Sequence, residues 1–365
     1  MAKNSAREEG RRQNIWIRLF STALVAIGSV VIIIPLLWMI STSLKTVGNV
    51  FSIPPEFIPR ETDIISVDGR NYVLYDVVIE GETKTLAMVR LHPERSEFFD
   101  PDNPSVRYYA PARDASRHRV VRLRWENYIT VWTFESAPFY RYLLNTVFYV
   151  ALSTFGSLLA NSFVAYGFAR LRGPGRNVLF VGVLSTMMIP VYATIIPQYV
   201  LWARQIPEVL SALFGVNVKL VDTYWPLILP SFFGSAYEIF LLRQFFSTIP
   251  RDYDEAARMD GAGYVRIWGQ VILPMSRPVL LAVGMIDVMF YWNEYFYPLI
   301  YLNSTDRLPL SVGLATFQSF YAVSGPPPYH LIMAAALISL LPLVIIFFAL
   351  NRYFIQGVVV SGLKG

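Results

Sequence analysis

Pro250-Arg251-Asp252-Tyr253-Asp254-Glu255-Ala256-Ala257-Arg258-Met259-Asp260-Gly261 lies between two long apolar runs. Pro250 suits a first helical position, and Asp252, Asp254 and Glu255 complement the positive end of a helix dipole. Gly261 supplies a stop, since glycine enters the left-handed region without strain. A second short helix is expected from residue 264 to about 272, ended near Pro274. Tyr253, Ala256, Ala257 and Met259 place small and apolar groups at helical spacing, and two alanines let a foreign backbone come close. The stretch reads either as a docking surface for another protein or as a helical hairpin lying on its own bundle. Spacing alone leaves both open.

On either side of it the chain reads as membrane spans. Residues 19–40 carry no charge, and a helix of that length reaches about 33 Å, enough for the hydrocarbon core. A cleaved signal peptide is the rival, but the apolar run is too long and no A-x-A site precedes Lys45. Further spans are expected at 142–168, 178–202, 224–242, 279–302 and 332–350, with Pro190, Pro197 and Pro342 tolerated because neighbouring helices satisfy the freed backbone groups. The fold class is therefore all-α and polytopic, with six transmembrane helices. Basic residues gather at 1–18, around Arg170, Arg172 and Arg176, across 243–277, and at Arg352 and Lys364. The alternate short loops carry Arg204, Lys219 and Arg307, so the positive-inside rule places both termini in the cytoplasm. The chain then divides into a basic N-terminus (1–18), a first helix (19–41), an extracytoplasmic segment (42–141), a core of five helices (142–356) with a cytoplasmic loop at 250–275, and a tail (357–365).

Within the outward segment, residues 60–124 break the helical pattern. Apolar and polar residues alternate in short runs interrupted at Asp68-Gly69 and at Glu80-Gly81-Glu82, which are turn signals. A small β-rich insertion follows, with strands at 71–79 and 83–91 and a further one near 120–123.

Composition narrows the function. Of 365 residues, 54% are hydrophobic and 16% charged, more apolar than a soluble domain, and the basic residues form no nucleic-acid stripe. Zero cysteines exclude disulfides, iron-sulfur clusters and thiol catalysis, and say nothing of redox compartment. His92, His118 and His330 have no metal-ligand spacing, and no GxxxxGK[ST] loop is present to cradle a nucleotide. Asp287, inside the fifth span, is costly unless it faces protein or a watery cavity. Asn161, Asn293 and Glu294 join it as candidate pathway residues, against the simpler reading that polar side chains bond helix to helix.

Glu255-Ala256-Ala257, Gly261 and then Val271, Leu273 and Pro274 resemble the EAA loop of binding-protein-dependent permeases, with valine where isoleucine is commoner. Thr42-Ser43-Leu44-Lys45, Leu144-Asn145-Thr146, Ala165-Tyr166-Gly167-Phe168-Ala169-Arg170, Trp292-Asn293-Glu294 and Arg352-Tyr353-Phe354-Ile355-Gln356-Gly357 narrow the resemblance to MalG-type carbohydrate permeases. It spans 15–59 and 125–365 and omits 60–124. The resemblance implies the type I ABC importer fold in a prokaryotic inner membrane. It also implies a second, MalF-like permease, an ATPase dimer holding ATP and Mg, an extracytoplasmic solute-binding protein, surrounding lipid, and a sugar or polyol substrate. Glu255, Ala256, Ala257, Gly261, Leu273 and Pro274 would then couple to the ATPase, and the chain itself would catalyse nothing and hold no cofactor. A non-sugar solute such as a glycerol phosphate is the alternative substrate. An ion-driven secondary transporter is the alternative class, but it would need a coupling-ion site and usually internal repeats, and no repeat is evident in the sequence.

Overall fold

The computed structural model of the chain describes every residue except 1, 53, 80, 135–137, 323–326 and 363–365, and the side chains of 2–15, 320–322 and 351–362 also fall outside the description. Two units emerge, one of residues 1–130 with 327–337, the other of 131–326 with 338–365.

In the first unit, α1 (Ala2–Ser43) is followed by eight strands: β1 (Arg60–Thr62), β2 (Ile64–Val67), β3 (Arg70–Ile79), β4 (Glu82–Arg90), β5 (Ser96–Phe99), β6 (Arg107–Ala110), β7 (Ala115–Arg117) and β8 (Arg119–Val121). A six-stranded antiparallel sheet runs β2-β3-β4-β5-β6, with β7 also paired to β3. Asp68 and Gly69 have φ of 51° and 74° between the paired Val67 and Arg70, the positive values that a two-residue hairpin turn requires. Alternation along the strands feeds two apolar clusters on opposite faces. Val77, Leu86 and Phe98 belong to one, and Leu74, Ala87 and Phe99 to the other.

Strands β1 and β8 pair with each other as a separate two-stranded sheet. Beside them Arg124 forks onto Glu61, Nε donating to Oε1 at 2.7 Å and Nη2 to Oε2 at 2.6 Å. The resembling stretch Thr42-Ser43-Leu44-Lys45 is buried here. Lys45 Nζ donates to the Glu56 carbonyl at 2.5 Å and lies 4.3 Å from the Trp38 ring centroid, and burial lowers its pKa. Asn127, on α2 (Glu126–Trp132), donates to the carbonyls of Ser43 and Lys45, and the Arg124 amide donates to Leu44.

In the second unit, α3 (Phe139–Arg170) is the central strut. Ser153, Gly156, Ser157, Asn161 and Ala165 give it a buried face of small side chains, which lets neighbours approach closely. A β-carbon at Gly156 would lie 2.4 Å from the Phe232 ring, so glycine is required there. Around α3 come α4 (Arg176–Ser185), α5 (Ile195–Val200), α6 (Ile206–Phe214), α7 (Trp225–Ile228), α8 (Ala236–Thr248), α9 (Asp252–Met259), α10 (Tyr264–Ile267), α11 (Leu273–Met275), α12 (Arg277–Asn293), α13 (Phe296–Tyr301) and α14 (Leu310–Ala322). The last helix, α15 (Tyr329–Gly362), begins in the first unit and ends in the second.

Among the described residues four helices are long and apolar enough to cross a membrane, or up to six if each of two bent pairs counts as one span. The expected third span is broken at Pro190, where the two parts meet at 92°, and the fifth stops at Asn293 before the short α13. Pro190 and Pro230 lack the amides that would continue a helix. The expected tail 357–365 is helical to Gly362, with its side chains and its last three residues outside the described set. Residue 80 of the second expected turn is outside it too.

Candidate functional site

Two places carry the polar residues singled out above, and both lie in the second unit. The first is the loop 250–275. Helix α9 starts at Asp252, so Pro250 precedes the N-cap Arg251 and does not occupy the first helical position. It ends at Gly261, whose φ is 79°. The Ala262 amide donates to Ala257 and the Gly261 amide to Arg258, both at 2.9 Å, the paired bonds of a Schellman stop. A second helical stretch then runs through Pro274 to Met275. It contains a π-turn at Trp268–Ile272 and stops at Met275, next to Pro274 where an end was expected.

The two faces of α9 differ. Glu255, Ala256, Tyr253 and Met259 are exposed, with Met259 at 89%. Ala257 instead packs against the core cluster that includes Ile249, Ile267 and Ile272, because it follows the buried Asp254 by three residues on the inward face. Asp254 Oδ2 lies 3.5 Å from Arg170 Nη1, with the two side chains 8% and 2% exposed. Arg170 Nη2 also donates to the Ile249 carbonyl at 2.8 Å. Leu273 is half-buried, whereas Pro274 is exposed. The loop is thus an exposed patch fixed rigidly to the transmembrane core.

The second place is an open cleft of about 210 Å³. Its wall comes from regions where spans lose regular helix: Val191 and Gln198 after the break at Pro190, Pro230 to Ser235 between α7 and α8, and Phe290 to Tyr297 across the break at Glu294. Irregular backbone at membrane depth is tolerated where it lines a cavity and is bonded from within. Here the chain supplies those bonds. Asn161 Oδ1 accepts from the Ser235 amide at 2.6 Å, and Glu294 Oε1 accepts from the amides of Phe296 and Tyr297 at 2.9 and 3.2 Å.

Of the four candidate pathway residues, Glu294 lines the cleft. Asn161 is fully buried behind it, donating from Nδ2 to Ser157 and to Glu238. Asp287 is 2% exposed and lies beside Glu238, with its Oδ2 lacking a partner among the described residues. Asn293 stands apart, exposed, donating to the Met289 carbonyl one turn back. Sequence reading missed Glu238, although an ionisable residue inside an apolar run is the same signal that marked Asp287. It also missed the tyrosines of the cleft, since aromatic residues in a span look no different from lipid-facing ones.

A family model described as binding-protein-dependent transport system inner membrane component matches residues 138–360. The sn-glycerol-3-phosphate transport system permease protein UgpE of Yersinia pestis bv. Antiqua is 33% identical over 242 residues, covering 65% of this chain and 80% of that protein. Its namesake in Salmonella typhimurium is 33% identical over 241 residues with the same coverage. Among solved structures, a bacterial ABC transporter involved in import of the acidic polysaccharide alginate superposes with a TM-score of 0.64 at 19% identity, covering 94% of this chain and 98% of that one. A bacterial alginate ABC transporter in complex with an alginate pentasaccharide-bound periplasmic protein gives 0.52 at 16% identity, covering 63% and 82%. The helical fold is that of type I ABC importer permeases.

Proposed function

The chain belongs to the family of binding-protein-dependent transport system inner membrane components and is an ABC importer permease, and from that premise we propose that it moves a sugar, oligosaccharide or related polyol through the cleft between its broken spans. Such a permease works with a second permease, an ATPase and a binding protein. In our reading the second permease is MalF-like, the chain crosses the inner membrane six times with both termini in the cytoplasm, and residues 60–124 face outward. ATP and Mg belong to an ATPase dimer, because this chain has no phosphate-cradling loop.

The observation that carries the reading is the loop 250–275, which offers an exposed patch of Glu255, Ala256 and Met259 on a helix whose other face is locked into the core. Glu255 meets a basic group of the ATPase, Gly261 sets the elbow, and Ala257, Leu273 and Pro274 hold the loop in shape. Closure of the ATPases then swings the permeases between inward and outward states as rigid bodies. Asn161 and Asp287 stabilise the broken helices behind the cleft, Glu294 faces the solute, and Asn293 caps its own helix. A second reading, uptake of a glycerol phosphate, is favoured by the names of the UgpE relatives.

Vesicles holding this chain with its partners test the proposal. Uptake should require ATP and the ATPase and survive collapse of ion gradients. Glu255→Lys and Gly261→Val should insert normally yet release the ATPase or hydrolyse ATP without transport, since loss of a desolvated charged pair typically costs about 2 to 5 kcal/mol. Wild-type uptake in both variants would remove the loop as coupling element.

A further inference from the structure

Resting on the permease reading, we infer that the solute passing this cleft carries no net negative charge: a free sugar or polyol, and not its phosphate ester. The cleft has the groups to hold hydroxyls. Tyr149, Tyr291 and Tyr297 present rings and phenols, and Gln198, Ser231 and Ser235 present neutral donors and acceptors. Among its described lining residues there is no lysine, arginine or histidine, and the one charged side chain is Glu294.

Proteins bind phosphate with arginine, lysine or the free amides of a helix N-terminus. Three amides at helix starts beside this cleft are already taken by the chain itself. The α13 amides of Phe296 and Tyr297 donate to Glu294 Oε1, and the Ser235 amide at the head of α8 donates to Asn161 Oδ1. Ser157 and Tyr291 line the cleft, and just behind them lie two more acids, Glu238 and Asp287, 8% and 2% exposed. Ser157 spends its hydroxyl proton on Glu238 Oε2 at 2.6 Å, so that donor too turns away from a solute. An anion entering here meets the Glu294 carboxylate and the buried acidic pair behind the wall with no cation among the described lining residues to offset them, and the low dielectric of the site magnifies the repulsion.

The chain contains no cysteine, which makes a direct test available. Ser235→Cys places one thiol in the cleft, to be labelled in the full complex with methanethiosulfonates carrying a trimethylammonium, a neutral hydroxyethyl or a sulfonate group. Labelling is followed on this chain's own mass and each rate divided by that for a free thiol. The neutral and cationic reagents should react at least tenfold faster than the sulfonate, and adding Glu294→Gln should narrow the gap. A sulfonate that reacts as fast as the others overturns the inference, as does uptake of sn-glycerol 3-phosphate at the rate of a free polyol. A thiol reached by no reagent overturns it as well, together with the assignment of the cleft as pathway. Failure of the permease reading shows separately, as labelling rates that ATP and vanadate leave unchanged whatever the reagent's sign.

Discussion

Asp222 adopts φ of 65°, a left-handed conformation uncommon outside glycine, asparagine and aspartate, and it is held there by what its carboxylate binds. Oδ1 accepts from the amides of Asn303 and Ser304 at 2.9 Å each, and Oδ2 accepts from the Ser304 hydroxyl at 2.5 Å with Arg307 3.5 Å away. Burial alone would raise this carboxyl, but the Ser304 hydroxyl, the two amides and Arg307 outweigh it and bring the pKa from 3.8 to about 2. A carboxylate with a depressed folded pKa stabilises the fold fully above its unfolded value and loses that increment as pH falls through the folded one. Stability of the purified chain should therefore hold down to about pH 4 and fall between there and about pH 2. Asp222→Asn, which tolerates the same backbone, should be less stable by about 1 kcal/mol at neutral pH and lack that increment. Identical melting profiles for both proteins across this range would refute the role. In the sequence, Asp222 is one acid in a polar turn, and only the fold reveals that residues some eighty positions away converge on it.

Asp254 poses the same problem at the level of a helix. Asp252, Asp254 and Glu255 look equivalent as acids in a first turn, and the sequence reading treated them together as dipole partners. What separates them is rotation about the axis. Asp254 and Ala257 face inward, Glu255 and Ala256 outward, and that orientation depends on core residues contributed by α3, α8 and α12. Helix α9 is thereby bolted to α3 through Arg170, whose Nε and the Asp254 Oδ1 have no partner among the described residues. Removing one member of a buried pair leaves an uncompensated charge and costs about 3 to 5 kcal/mol, whereas replacing both with apolar groups is often close to neutral. Asp254→Ala should loosen α9 and raise ATP turnover per solute moved. Arg170→Met with Asp254→Leu should recover most of the lost thermal stability, as read by melting of the assembled complex. A single variant as stable and as tightly coupled as wild type would show that the bolt carries no force. The same dependence on context decides which other elements were legible. Strands β3 and β4 stood out because Asp-Gly and Gly-Glu turns flank clean alternation, whereas β5, β6 and β7 are three or four residues long among prolines and arginines. Apolar runs announced the spans but not their breaks at Pro190 and Glu294, because composition is the same on both sides of a break.

Taken as a whole, the chain carries its strands between α1 and α2, and the register of β1 against β8 brings the two ends of that stretch together. Arg60 pairs with Val121, Glu61 with Val120 and Thr62 with Arg119, so the two ends of the inserted chain run side by side. Strand neighbours lie only about 5 Å apart, so a cut there leaves almost nothing to bridge. The sequence reading placed the boundaries at 60 and 124, but Glu61 and Arg124 form the forked ion pair at the base, and the Arg124 amide bonds to Leu44 beneath it. The removable part is 63–118, with the two apolar clusters of the sheet wholly inside it. Joining Thr62 to Arg119 through Asn-Gly converts β1 and β8 into an ordinary two-residue hairpin, since asparagine and glycine accept the positive φ that such a turn needs. This shortened chain should insert in the membrane and co-purify with its partners at near wild-type yield. Excision of 60–124 should lower the melting temperature of the complex, because the Glu61 to Arg124 pair and the Arg124 amide bond that holds Leu44 are then lost. Equal loss of assembly in both deletions would mean that the sheet itself is part of the folding core, and equal retention would mean that the Glu61 to Arg124 base contributes nothing.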